Sequence, residues 1–285
     1  MPMCGSAVSC KTWCADLRQP SSVGAMTEVD DWFTDDDEAR EVFRRGDFVH
    51  RTPQPWTPAV TELLNYLEAV GYSASSRHRG YDADGREVLT FLPGEDGPIS
   101  WGYLHSDDGL ASVARLLRSY HDAVRDFQPS ADAVWAHSKG APQAGELMCH
   151  GDFAPWNLVW REERAAGIFD WDFVHPAEPM FDVYYAMDWT VPFRDDQTCL
   201  EFHHFQDVPD RAHRVSVFLK AYGVEEVPSN VAARVVDVRR RVQAKTASLA
   251  ARRIQPQAQW VADGLLDSRE EATTWIESNP TLFQP

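Results

Sequence analysis

The sequence predicts an α+β chain in two lobes, a small antiparallel-sheet lobe followed by a larger, mainly helical one. Three observations carry this expectation. The segment up to residue 95 reads strand, strand, helix, strand, strand, without the βαβ alternation of a parallel sheet. Pro93-Gly94 then breaks the pattern. Beyond it, apolar residues recur at helical spacing in one segment after another.

Taken in order, residues 1–36 are expected to form a disordered or irregular extension, acidic over TEVDDWFTDDDE, and Met26 is an alternative start. REVFRRGDFVHRT reads as two short strands around a turn at Arg45-Gly46-Asp47. PWTPAVTELLNYLEAVGY reads as a helix, with Thr57 as its cap, Pro58 in the first turn, and Val60, Leu63, Leu64 and Leu67 on one apolar face. RGYDADGREVLTFLPGE reads as a hairpin turning at Asp84-Gly85. Residues 37–95 thus make one lobe and residues 96–285 the other. The second lobe opens with the helix DGLASVARLLRSYHDAVRDF and continues with short strands in ELMCH, LVW and AAGIFD. Helices follow in MFDVYYAMDW, RAHRVSVFLKAYG, VAARVVDVRRRVQAKTASLAARRI and SREEATTWIES.

Composition narrows the function classes. With 285 residues, 44% of them apolar, the chain can bury a sizeable core. A formal net charge of −17 argues against nucleic acid and anionic membranes as partners, and it suits a cationic small molecule without identifying one. No apolar run reaches the roughly 18–20 residues of a membrane span, and no secretory signal precedes the fold. Five cysteines in no dense framework point to reduced thiols and a cytoplasmic protein. Cys149 is expected to be buried and inert.

The chemistry concentrates in CHGDFAPWNLVW. His150, Asp152 and Asn157 lie on a loop between two short strands, and Asp170 and Asp172 end the next strand. A hairpin of this kind brings Asn157 and Asp170 together. An amide oxygen and a carboxylate are hard ligands suited to Mg²⁺, which takes few protein ligands besides phosphates and water. A carboxylate beside a Mg–nucleotide orients an attacking hydroxyl and accepts its proton, a role open to Asp152.

HGDFAPWN followed by GIFDWD resembles the H-G-D-x-x-x-x-N and [IF]-D-W motifs of aminoglycoside phosphotransferases and related small-molecule kinases, which share the protein-kinase-like fold. The resemblance runs from about Arg40 to the C-terminal helices. It implies an ATP- and Mg²⁺-dependent phosphotransferase acting on a hydroxyl of a small molecule, with Asp152 as catalytic base and Asn157 and Asp170 on the metal. It makes His150 a structural residue of the loop and Asp182 the helix aspartate that braces the loop through backbone amides. Asp172 either touches the metal side or only ends its strand.

On the nucleotide side, period-two alternation in FVHR puts Val49 and Arg51 on one face and Phe48 and His50 on the other. The resemblance implies a cation here, normally lysine, and Arg51 takes that position, with His50 in its place if the register slips by one. It further implies that Glu62 pairs with Arg51 and that backbone groups of Phe91 and Leu92 bond adenine. A solvated Glu62 and plain core roles for Phe91 and Leu92 are the alternatives. Asp195, Asp196 and Glu201 would add negative potential for a cationic acceptor, or are solvated surface charge. Two departures stand out: DDDEAREVFRRGD has no glycine-rich loop, and arginine replaces the lysine. They keep open a non-catalytic kinase-fold protein that binds a nucleotide or ligand. A metal-dependent phosphoesterase is the third reading, disfavoured because no His/Asp set for two adjacent metals is evident.

Overall fold

A computed structural model describes residues 30–33, 42–97 and 99–285, so most of the expected extension lies outside the described residues. Strands β1 (Asp30–Phe33), β2 (Val42–Arg45), β3 (Phe48–Arg51), β4 (His78–Tyr81) and β5 (Glu87–Thr90) form one antiparallel sheet in the order β1-β2-β3-β5-β4. β1 falls inside the segment expected to be irregular. The β2–β3 turn contains Gly46 at φ +60°, where a side chain would be strained. Full register between β3 and β5 sets Arg51 opposite Glu87 and His50 opposite Val88.

Helix α1 (Thr57–Ala69) lies between β3 and β4 in the chain and buries Ala59, Val60, Leu63, Leu64 and Leu67, the face its apolar spacing predicts. Thr57 is not its cap. The cap position is Trp56, and the Thr57 hydroxyl accepts the Gln54 amide at 2.8 Å, because Pro58 at the second helical position draws the start of the helix back by one residue.

The larger part begins with α2 (Ile99–Tyr103) and α3 (Asp107–Ala123), the latter capped by Ser106, whose hydroxyl accepts the Gly109 amide at 3.0 Å. Strand β6 (Leu147–Cys149), hairpin β7 (Leu158–Arg161) with β8 (Arg164–Ile168), and β9 (His175–Ala177) make two small antiparallel pairs, β6 with β9 and β7 with β8. Helices α4 (Met180–Thr190), α5 (Asp196–Glu201), α6 (Arg211–Tyr222), α7 (Val231–Ala251), α8 (Gln257–Ala262) and α9 (Leu265–Ser278) complete the chain. β1, β9, α2, α5 and α8 are too short to show a period and were not expected as separate elements. Every residue of α4 from Phe181 to Thr190 is buried. It is the central helix, and Asp182, Tyr185 and Asp188 on it must all find partners inside.

The two parts are joined by backbone pairing as well as by the chain. Glu95 and Trp160 exchange hydrogen bonds (2.9 and 2.7 Å), and the Ile168 amide donates to Ala74 O at 2.7 Å. Gly94, at φ +149°, lies so close to β7 that a Cβ would come within 2.4 Å of Val159 Cγ1 and 2.6 Å of Trp160 O. Only glycine lets the connection pass there.

Within the helical part, Arg214 pins three elements. Its guanidinium donates to Val191 O, Thr190 O and Leu104 O, each at 2.7 Å. Arg214 is 4% exposed, and burial pulls its pKa down to about 10. The Arg214→Ala protein should lose about 3 kcal/mol or more in urea unfolding, since the carbonyls at the end of α4 are left buried without donors, each costing about 1–3 kcal/mol.

Candidate active site

β6 ends at Cys149, and the loop from His150 runs through a single 3₁₀ turn (Pro155–Asn157) into β7. The β7–β8 hairpin pairs Leu158 with Ile168, and the Phe169 amide donates to Asn157 O at 3.1 Å. The hairpin therefore carries Asn157 and Asp170 to its open end. β9 then pairs back on β6, Cys149 opposite His175. Gly151 shows how closely the strands approach: at φ +83° it would set a Cβ 2.1 Å from Phe173 O.

The loop hangs on Asp182 in the first turn of α4. Its carboxylate accepts the His150 amide at 2.6 Å, the Gly151 amide at 2.9 Å and a bond from His121 Nε2 at 3.2 Å, and it is wholly buried. Burial alone would raise this carboxyl, yet the His121 contact, the nearby His150 ring and the Gly151 amide hold it below the usual range. His121, Cys149 and Asp182 present ligand atoms within 4.8 Å of one another. His121 Nδ1 is occupied by Tyr222 Oη at 2.8 Å and Asp182 by the two amides, so this cluster is a hydrogen-bonded brace. Cys149 is wholly buried, and burial pushes its thiol far up, as expected of an inert residue.

His150 Nε2 lies 3.1 Å from Phe169 O, which makes Nε2 the donor and leaves Nδ1 to accept the Asp152 amide at 3.4 Å. Burial lowers its pKa, so the ring is a neutral spacer between the loop and β8.

Asp152 receives three donors: the Tyr185 hydroxyl on Oδ1, and Trp156 Nε1 (3.3 Å) and Asn157 Nδ2 (2.8 Å) on Oδ2. Burial, helped by the Asp170 charge, raises its pKa to about 6 against the pull of these hydrogen bonds. Asn157 Nδ2 also donates to Asp152 O at 2.9 Å. Both amide hydrogens are thus committed, and Asn157 Oδ1 is left as an acceptor. Asp170 sits at φ +57°, a left-handed conformation uncommon for aspartate, and its buried Oδ1 accepts no hydrogen bond among the described residues. An amide oxygen and a carboxylate oxygen, both short of donors, fit a hard divalent cation.

Arg51 reaches the same place from the sheet. Its Nη1 lies 3.2 Å from Asp172 and 3.8 Å from Asp170, and its Nε donates to Glu87 at 2.6 Å. β8 ends at Ile168, so Asp170 and Asp172 lie beyond the strand they were expected to end, and Asp172, 2% exposed, pairs with Arg51.

Other expectations are corrected. Glu62 does not meet Arg51: its two oxygens accept the Ser130 amide (2.9 Å) and hydroxyl (2.7 Å), because it lies off the buried face of α1. His50 does not share the site of Arg51. It turns to the opposite face of β3, stacks on Phe43 and bonds Asp82 at 2.9 Å. The Phe91 amide is spent on Asp47 O at 2.8 Å, and Arg44 covers its ring at 3.6 Å. The Phe91 N–H is therefore not available to a base, while no hydrogen bond among the described residues occupies the Phe91 carbonyl or the Leu92 amide, and the Leu92 side chain packs toward Gly167 of β8. Asp195 caps α5 (Thr198 amide, 3.0 Å), Asp196 pairs with Arg211 at 2.8 Å, and Glu201 accepts from Gln197 at 3.1 Å, so these charges serve local bonds.

Glu87, Tyr185 and Trp156 are site residues that sequence reasoning missed. A lone glutamate opening the apolar run EVLT was the available signal for Glu87. Trp156 starts an aromatic wall beside Asp152, edge-on to Trp189 (4.6 Å), stacked on Trp101 (6.4 Å) and extended by Phe202 (5.5 Å from Trp101).

The raised Asp152 pKa has a stability consequence. Its folded pKa of about 6 exceeds the ordinary value of 3.8, so the native state is favoured below pH 4 and that advantage is lost as pH rises through 6. Asp152→Asn should therefore raise the melting temperature at pH 7.5 relative to wild type, and the gain should shrink toward pH 4. Gly151→Ala should lower it at every pH, because the Cβ collides with backbone.

Residues 103–214 match the sequence model of the phosphotransferase enzyme family. The trifolitoxin immunity protein of Rhizobium leguminosarum bv. trifolii is 31% identical over 188 residues, 64% of this chain and 70% of that one. Among solved structures, a choline/ethanolamine kinase family protein from Mesorhizobium loti superposes with a TM-score of 0.52 at 18% identity, over 85% of this chain and 86% of the other. The choline kinase of Cryptosporidium parvum gives 0.53 at 13% identity, over 88% and 89%. At such identities the structures speak for the protein-kinase-like fold, which the small antiparallel sheet and the helical part share. By fold, motif and sequence relationship together, the chain belongs to the phosphotransferase enzyme family.

Proposed function

We propose that this small-molecule phosphotransferase moves the γ-phosphoryl group of ATP to a hydroxyl, with Asp152 as the base. The observation that carries the reading is the placement of Asp152: a buried carboxylate held by Tyr185, Trp156 and Asn157 beside the open end of the β7–β8 hairpin, where Asn157 and Asp170 meet, with burial raising its pKa. A base poised near neutrality accepts a proton without being protonated at rest. The acceptor O–H bond gives its proton to Asp152, the oxygen forms the new P–O bond, and the electron pair of the broken bond leaves on ADP. Asn157 Oδ1 and Asp170 would hold magnesium, which when bound neutralises charge on the phosphates. Arg51 would contact the phosphates from the sheet side, giving the chain a nucleotide-side unit over residues 37–95 and an acceptor-side unit over 96–285.

The wall beside the base is aromatic rather than acidic, which suits an acceptor with an apolar or cationic body. No helix of the described residues is long and apolar enough to cross a membrane. The rival reading, a kinase fold that binds nucleotide without turnover, draws on the engagement of Arg51 by Asp170 and Asp172.

Labelled ATP offered with choline, aminoglycosides and trifolitoxin as acceptors should yield transfer to at least one hydroxylated compound. Asp152→Ala should then cut kcat by about 10²–10⁴-fold, and unchanged turnover would remove Asp152 from the base role. In the wild type kcat should rise with pH as the Asp152 carboxyl ionises, since only the carboxylate accepts the proton. ATP-dependent melting shifts that need Mg²⁺, without transfer to any acceptor, would favour the rival.

A further inference from the structure

Arg51 and Glu87 face each other across β3 and β5. They are 6% and 0% exposed, and the guanidinium Nε donates to Glu87 Oε2 at 2.6 Å. The other edge of the fork turns toward the β7–β8 hairpin, where Nη1 meets Asp172 and Asp170. Nη2 of Arg51, Oε1 of Glu87 and Oδ1 of Asp170 are buried, and none has a hydrogen-bond partner among the described residues. Unsatisfied groups of this kind are rare in a finished interior, and these three belong to residues joined by the ion pairs of Arg51. The charges also fail to cancel: one guanidinium faces three carboxylates, an excess of negative charge that a divalent cation would offset.

The helix does not supply the guanidinium's partner, because Glu62 is held by Ser130 on another side of α1. We infer that Glu87 is the positioning residue of the nucleotide side: it clamps Nε so that the Nη edge of Arg51 stays presented to phosphate beside Asp170. This rests on the phosphotransferase reading and deepens it. It also accounts for arginine at this position. A lysine ammonium is a single point, whereas the guanidinium fork can hold Glu87 with one edge and a phosphate oxygen with the other. Because both partners lie on adjacent strands of one sheet, displacement of α1 leaves the pair intact.

The test is isothermal titration of the full chain with Mg²⁺ and a non-hydrolysable ATP analogue, with adenosine as the phosphate-free control. Glu87→Gln should weaken the triphosphate at least tenfold and leave adenosine unchanged, a contrast that a merely structural role would not produce. Arg51→Lys should weaken the triphosphate similarly, while Glu62→Ala binds both ligands as wild type does. If Glu87→Gln fails to fold, Glu87→Asp, which keeps the buried charge but draws the carboxylate back from Nε, decides. Selective loss of triphosphate binding there supports the inference, and retention overturns it. Wild-type affinity in Glu87→Gln, or loss in Glu62→Ala, overturns the inference alone. A wild type that binds neither ligand at millimolar concentration overturns the nucleotide reading with it.

Discussion

The buried carboxylate of Asp182 is the interaction on which the site depends. A loop entering a core carries amide hydrogens that need acceptors, and an acceptor inside a core has no water to fall back on. Asp182 resolves both demands by taking the consecutive amides of His150 and Gly151 while His121 supports it from α3. With those two amides fixed, His150 spans to Phe169, and Asp152 is delivered at a set angle. The aspartate works because α4 is buried on all sides, so nothing competes for its oxygens.

Charge burial is a theme of the whole helical part. Asp188, two turns further along α4, is gripped by Arg239 from α7 and by Arg194 at 2.6 Å, and Arg214 spends its donors on backbone carbonyls. Networks of this kind give little net stability over an apolar core, but losing one partner is severe. They fix the positions of α4, α6 and α7 sharply, and α4 carries both the brace, Asp182, and the Tyr185 hydroxyl that orients Asp152. Asp152 is thus held through a helix whose own position is set by ion pairs far from it.

Parts of this were legible in the sequence because they are local. Apolar periodicity marks α1 and α3, whose buried faces carry Leu63 and Leu67, and Leu110, Val113 and Leu117. The five-residue step from Asp152 to Asn157 is a loop that folds on itself, and hairpin reasoning alone brings Asn157 toward Asp170. Thr57 was misread as a cap because Trp56 and Pro58 compete for the start of the helix, a balance that residue types do not express. Glu62 was misread for another reason. Its partner, Ser130, lies 68 residues away along the chain.

By itself, then, the sequence determined the order of the longer elements, the apolar faces of α1 and α3 and the spacing of Asp152, Asn157 and Asp170, since each follows from backbone geometry over a few residues. Only the tertiary structure decided who holds Arg51. The choice of Glu87 over Glu62 follows from the register of β3 against β5 and from the face α1 turns inward. The contact with Asp172 follows from how the sheet lies on the hairpin. The ionisation of Asp152 was decided in the same way, because a pKa near 6 comes from burial among Tyr185, Trp156 and Asp170, which only packing assembles.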